Sequence, residues 1–170
     1  MAKRTPKTPP PAPAPSHPPA SFLRRMGAWL YDSLVVLSLL IIGGFIGFGV
    51  AHLALALGWA RLAEGQEVAD LLSHSLLYTA WLALIIIGFY CWFWVRGGQT
   101  IGMRAWRLRI QNKDGSHIRF TQALIRLATA AFGLGNLLAL FSPRAFQDIW
   151  AECEVIVLSK GENRALLDRD

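Results

Sequence analysis

Charge is scarce in this chain, and its absence organises the rest. Only 16% of the 170 residues are Asp, Glu, Lys or Arg, while 54% are hydrophobic. That balance is too apolar for an ordinary soluble domain. Cysteine is nearly missing: Cys91 and Cys153 stand far apart, neither with metal-ligand or redox spacing around it, so both read as packing residues. Proline is confined to one end, with eight of the nine in the first twenty residues, "MAKRTPKTPPPAPAPSHPPA". That leader reads as a disordered, basic, polyproline-rich cytoplasmic tail, with a proline motif for a partner domain as a second use. A cleavable signal peptide is not expected, because the apolar run that follows is too long and lacks a small-residue cleavage site. No nucleophile and base pair, phosphate loop or pair of catalytic acids is present, so neither an enzyme nor a cofactor is expected. His52 and His74, with Glu64, Glu67 and Asp70 between them, fit no metal spacing, and no metal site is expected.

The long uncharged runs are what the chain does have. Ser33 to Ala60 holds 28 residues without Asp, Glu, Lys or Arg, and Leu71 to Val95 holds another 25. Each exceeds the roughly 20 residues a helix needs to cross the hydrocarbon. The link "RLAEGQEVAD" between them is net acidic. By contrast Lys3, Arg4, Lys7, Arg24 and Arg25 precede the first run, and Arg96, Arg104, Arg107, Arg109, Lys113 and Arg119 follow the second. By the positive-inside rule the amino terminus faces the cytoplasm and the link faces outward. The net charge of +6 is thus explained by the flanks of the apolar runs, and no nucleic-acid partner is expected. Trp29, Trp92 and Trp94 near the inner ends, and Trp59 near the outer end, fit the aromatic belts of the two interfaces. Gly43 and Gly47, four apart in "GGFIGFG", have the spacing that lets membrane helices approach.

A third apolar segment is shorter. Between Arg126 and Arg144 only 17 residues are uncharged, and Gly133, Gly135 and Asn136 interrupt them. A broken, re-entrant or interfacial hairpin fits this better than a straight crossing. On either side of it lie two stretches with a period of two. "AWRLRIQ" alternates Trp106, Leu108 and Ile110 with Arg107, Arg109 and Gln111, and "ECEVIV" alternates Glu152 and Glu154 with Cys153, Val155 and Val157. Pairing Trp106 to Gln111 with Glu152 to Val157 predicts a small two-stranded sheet below the spans, with basic and acidic faces opposed and its direction left open.

One acid interrupts the apolar pattern. Asp32 falls among tryptophan, tyrosine and leucines, seven residues past Arg25. It lies at the inner end of its run, where its cost stays below the roughly 2.5 to 3.5 kcal/mol of a central position. Seven residues make two helical turns, so Arg25 and Asp32 share a face about 10 Å apart. Arg126 in "QALIRL" and Asp148 in "PRAFQDIW" come to the same level, which suggests a neutral buried network of two arginines and two aspartates. Three uses stay open: ion pairs that lock the spans together, a proton or ion relay through Asp32, and contacts to headgroups or a partner.

These residues follow one another in a familiar order. Arg25 (or Arg24) stands ahead of the first span and Asp32 inside its start. The glycine-rich turn "GGQTIGMRAWRLRIQNKDG" carries Gly98, Thr100, Gly102 and Arg104. Arg126 comes early in the third segment, and Asp148 comes before a closing strand. From about Phe22 to Leu158 the chain resembles the RDD family of bacterial membrane proteins, named for one arginine and two aspartates. It departs from the family pattern in having Gln147 rather than His before Asp148, "AECEV" rather than a small residue and Thr after it, and Met103 in place of a Lys. The resemblance implies a transport-related role and no general catalytic activity.

The expected fold is an all-α membrane protein with two long transmembrane helices, a third broken or re-entrant apolar helical segment and a small cytoplasmic two-stranded β element. The expected organisation is a disordered tail at 1–21, an RDD-like membrane domain at 22–158 with spans at about 28–58, 71–95 and 121–141, and a polar C-terminal tail at 159–170. The expected function is that of a multi-pass protein of the bacterial cytoplasmic (inner) membrane, in which the cluster Arg25, Asp32, Arg126 and Asp148 serves an ion or small solute. A non-transporting structural or assembly subunit is the alternative. Two or three helices enclose little volume, so the expected partners are the bilayer, further copies of the chain or a membrane complex.

Overall fold

A computed structural model describes residues 17–142 and 144–168; of the expected tail at 1–21, residues 1–16 lie outside them. The first helix, α1 (Phe22–Ala56), is 35 residues long, or about 52 Å at 1.5 Å per residue. It begins earlier than the expected 28 because Arg24 and Arg25 are good helix formers and both find acceptors. Arg25 Nε donates to the Ala20 carbonyl, and Arg24 Nη1 to the Trp106 carbonyl. The second run is not one helix. It divides into α2 (Val68–Ser73) and α3 (Leu76–Arg96), because Ser75 caps α3 by accepting from the Tyr78 N–H at 3.3 Å, a role serine fills better than a place inside a helix. The 21 residues of α3 give about 31 Å, close to the hydrocarbon thickness.

These two helices, α1 and α3, are long and apolar enough to cross a membrane. They meet through the glycines of α1: a Cβ at Gly43 would run into Ile85 and one at Gly47 into the Tyr78 ring. Trp81 Nε1 also donates to the Gly43 carbonyl at 3.0 Å. The opposite faces carry exposed Leu34, Ile41, Phe45 and Val50, as a lipid-facing surface requires.

The basic end of the spans is built differently. After α3, Gly98 turns the chain with φ +69°, where a Cβ would press on the Ile110 carbonyl. Thr100 then caps the short α4 (Ile101–Trp106), and Arg107, with φ 58°, ends it. Strand β1 (Leu108–Asn112) follows, then α5 (Phe120–Ala130), a 3-10 helix over Ala131–Leu140, α6 (Phe146–Trp150), β2 (Cys153–Val157) and α7 (Lys160–Leu167). The third apolar segment is broken as expected: Phe120–Ala130 and Leu134–Leu140 are bent by 85°. The 11 residues of α5 reach only about 16 Å, and the chain comes back, since β1 and β2 pair.

That pairing is antiparallel, with Leu108 opposite Val157 and Ile110 opposite Val155. The expected strands are each trimmed at the start, because Trp106 belongs to α4 and Glu152 is a left-handed turn residue with φ 52°. The expected opposition of basic and acidic faces is corrected with them. Arg109 lies across from Ile156, and Glu154 takes its hydrogen bond from Gln111 at 2.9 Å. On the other edge of β2, Ala20 N–H donates to the Val155 carbonyl and Val157 N–H to the Pro18 carbonyl. The ordered domain therefore starts before the expected boundary at 22. It also runs past 158, where Asn163 of α7 is buried and accepts from Gln99 Nε2 at 3.0 Å. Leu108, Ile110, Cys153 and Val155 of the sheet pack with Ala28, Trp94, Met103 and Ala123 in one apolar core at this end.

Candidate functional site

Asp32 sits one helical turn beyond Ala28 on α1, facing the start of α4. Its Oδ2 accepts from the Thr100 hydroxyl at 2.5 Å and its Oδ1 from the Gly102 N–H at 2.8 Å. The carboxylate is thus an N-terminal cap supplied from another helix, satisfying donors that the first turn of α4 leaves unpaired. Gly102 makes this approach feasible, since a Cβ there would run into the Ala28 carbonyl and the Asp32 side chain. The acid has found a hydroxyl and a backbone N–H, where the sequence suggested an arginine.

The other three expected residues do come together. Asp148, with a fully buried side chain, lies 2.6 Å from Arg25 Nη2 through Oδ2, and its Oδ1 is held by Arg126 Nη1. Asp148 Oδ2 also accepts from the Ala145 N–H. Arg126 Nη1 reaches Cys153 Sγ at 3.3 Å, and its guanidinium lies 5.3 Å from the centre of the Trp94 ring, within cation–π range. Of the two candidate arginines, Arg25 joins Asp148 and Arg24 bonds the Trp106 carbonyl. Burial pushes the Asp148 carboxyl up, but the Arg126 and Arg25 guanidinium groups outweigh it and hold the acid below the usual carboxylate range. Burial raises the Cys153 thiol, with Arg126 opposing.

The four-residue network expected from the sequence is therefore a triad of two arginines and one aspartate, with Asp32 set apart. Two turns of α1 separate Asp32 from Arg25, too far for one hydrogen-bonded cluster. Both still face one cleft of about 760 Å³ between α1, α3 and α5. Its polar end is formed by Arg25, Asp32, Ser33, Arg126, Asn136 and Gln147, and its remainder by apolar residues including Val36, Leu37, Leu40, Ala83 and Ile86. Asn136 and Gln147 were not singled out as a pair from the sequence. They are buried, and Gln147 Nε2 donates to Asn136 Oδ1 at 2.6 Å. The only signal was that Gln147 departs from the histidine of the family pattern. Thr100 was singled out only as part of the glycine-rich turn; neither the helix it caps nor its bond to Asp32 was expected.

His52 and His74 remain on their separate elements, and His52 Nδ1 lies 3.1 Å from the Phe48 carbonyl of its own helix. Among the described residues no three His, Cys, Asp or Glu side chains gather as metal ligands would. The chemistry on offer in the cleft is that of guanidinium and amide donors beside a carboxylate already engaged. No curated protein and no solved structure matches the chain. A model of the RDD family matches residues 19–169, which takes in the triad, Asp32 and its cap, the cleft and the sheet alike, so the chain belongs to the RDD family and is a membrane protein.

Proposed function

We propose that this protein is a transport-related component of the bacterial cytoplasmic membrane, multi-pass, with its amino terminus in the cytoplasm. An ion or small solute enters the cleft between α1, α3 and α5. The observation that carries the reading is the cleft itself, about 760 Å³, walled at one end by charged residues of both signs and open along the spans. The basic residues after α3 and the acidic link after α1 support the orientation. Two spans enclose little volume on their own, so the working unit is a homo-oligomer or a complex with another membrane protein. The reading involves no catalysis.

A second reading, a structural or assembly subunit, is favoured by one feature. The triad ties α1, α5 and α6 together through a carboxylate with no exposed surface. Replacing Asp32→Asn separates the two. Asparagine keeps the shape, still accepts from Gly102 and can donate to the Thr100 hydroxyl, while the charge is lost. Transport predicts normal abundance and folding with loss of flux of Na⁺, K⁺, Cl⁻ or phosphate in proteoliposomes that the unaltered protein carries. A protein that no longer accumulates would favour assembly.

A further inference from the structure

The cleft changes character along its length. On α1 its wall runs through Arg25, Asp32, Val36 and Leu40, one stripe at helical spacing. From Arg25 to Leu40 is about 22 Å at 1.5 Å per residue, enough for a headgroup layer and the roughly 15 Å of hydrocarbon in one leaflet. Within the triad two guanidinium groups face one carboxylate, a local excess of one positive charge. Arg25 Nη1 and Arg126 Nε are buried with no hydrogen-bond acceptor among the described residues, and Gln147 Oε1 is buried with no donor. Both arginines are at least nine-tenths buried and both line the cleft. Buried donors of this kind are rare unless something fills them. Asp32 lies two turns along α1 from Arg25, and its oxygens are held by Thr100 and Gly102 rather than by either guanidinium. The apolar end is accessible from the side, with Ala83 exposed and Leu37 55% exposed.

We infer that the cleft binds an anionic phospholipid, its phosphodiester on Arg25 and Arg126, a headgroup hydroxyl on Gln147 Oε1, and one acyl chain along Val36, Leu40, Ala83 and Ile86. This rests on the reading of the cleft as a binding site and goes beyond it, giving the triad end and one apolar wall to a lipid rather than to the transported ion or solute. Phosphatidylglycerol has the required combination of one negative charge and hydroxyl donors. Phosphatidylcholine carries the phosphate without net charge or donor, and inorganic phosphate has the charge without the chain.

The test is native mass spectrometry of the full-length protein released from detergent with each of the three probes. Phosphatidylglycerol is retained about tenfold more strongly than phosphatidylcholine, equivalent to about 1.4 kcal/mol, and inorganic phosphate does not displace it. Removing the charge with Arg25→Gln abolishes the preference if the variant folds. Ala83→Trp, at an exposed position far from the triad, narrows the apolar end and lowers retention about fivefold with an unchanged melting temperature. Equal retention of the two lipids, displacement by phosphate alone, or an Ala83→Trp protein that holds lipid as well as the parent would each overturn the inference. Flux measured on the same preparations keeps the two readings apart. Flux without lipid preference removes the lipid site alone, and lipid preference without flux removes transport alone.

Discussion

The two halves of α1 are held by opposite means. Toward Ala56 the helix meets α3 through glycines that admit Ile85 and the Tyr78 ring, with one hydrogen bond from Trp81. Toward Phe22 it carries buried Arg25 and Asp32, both bonded to elements outside the spans. Lipid is as apolar as leucine, so close approach and dispersion have to supply the attraction in the first half. In the second half the chain turns, breaks and returns, leaving helix ends and strands whose donors need partners. The charges therefore stand where the backbone is irregular.

This contrast predicts unequal responses to substitution. Asp148→Ala leaves two buried guanidinium groups facing each other and is expected to lower stability by about 3–5 kcal/mol, read as a fall in melting temperature in detergent. Acid has the same target with a smaller effect, since protonation leaves the side chain's shape in place. The Asp148 carboxyl is held below its ordinary value. Its contribution is therefore full above the unfolded value of about 3.9 and is lost as pH falls through the folded one. That contribution, read as the difference between the parent and Asp148→Asn, should be flat from about pH 8 to pH 5 and drop below about pH 4.

Gly102→Ala comes next. The new Cβ meets the Ala28 carbonyl, which is backbone and cannot swing aside, so α4 must move off Asp32. A loss of about 1–3 kcal/mol is expected, with faster hydrogen exchange at the Gly102 N–H. The same change at Gly43 meets only the end of the Ile85 side chain and is expected to lower stability by less than about 1 kcal/mol in an equilibrium unfolding experiment. At Gly88, where nothing lies within 4 Å, alanine is expected to stabilise α3 by about 0.5–1 kcal/mol. Were Gly43→Ala to disrupt the protein more than Gly102→Ala, the contrast between the two halves would be reversed.

What could be read in advance follows the same division. The spans were legible because hydropathy is a property of neighbouring residues. The strands were legible because a period of two survives without knowledge of the partner, and the break in the third segment showed in Gly133, Gly135 and Asn136. The start of α1, the cap at Ser75 and the burial of Asn163 depend on particular hydrogen bonds and were missed. So was the partner of Asp32. Thr100 is 68 residues away, and nothing local distinguishes a carboxylate that will meet a hydroxyl from one that will meet Arg25. Three of the four cluster residues were brought together as the sequence suggested, since Arg25, Arg126 and Asp148 all end at one level of the structure.

The separation of these partners along the chain sets an order of events during biosynthesis. When Asp32 itself is added, the residues that will hold it are still 68 and 70 positions further along the chain, and Asp148 arrives later still. Strand β2, which secures Pro18 and Ala20, is among the last segments made. The first helix must therefore enter the bilayer with Arg25 and Asp32 unmatched, kept near the headgroups where water can solvate them. Only when α6 and β2 have folded back can the Phe22 end of α1 complete its contacts, so a nascent chain stopped before Phe146 already holds Thr100 and Gly102 for Asp32 but lacks the carboxylate that Arg25 meets.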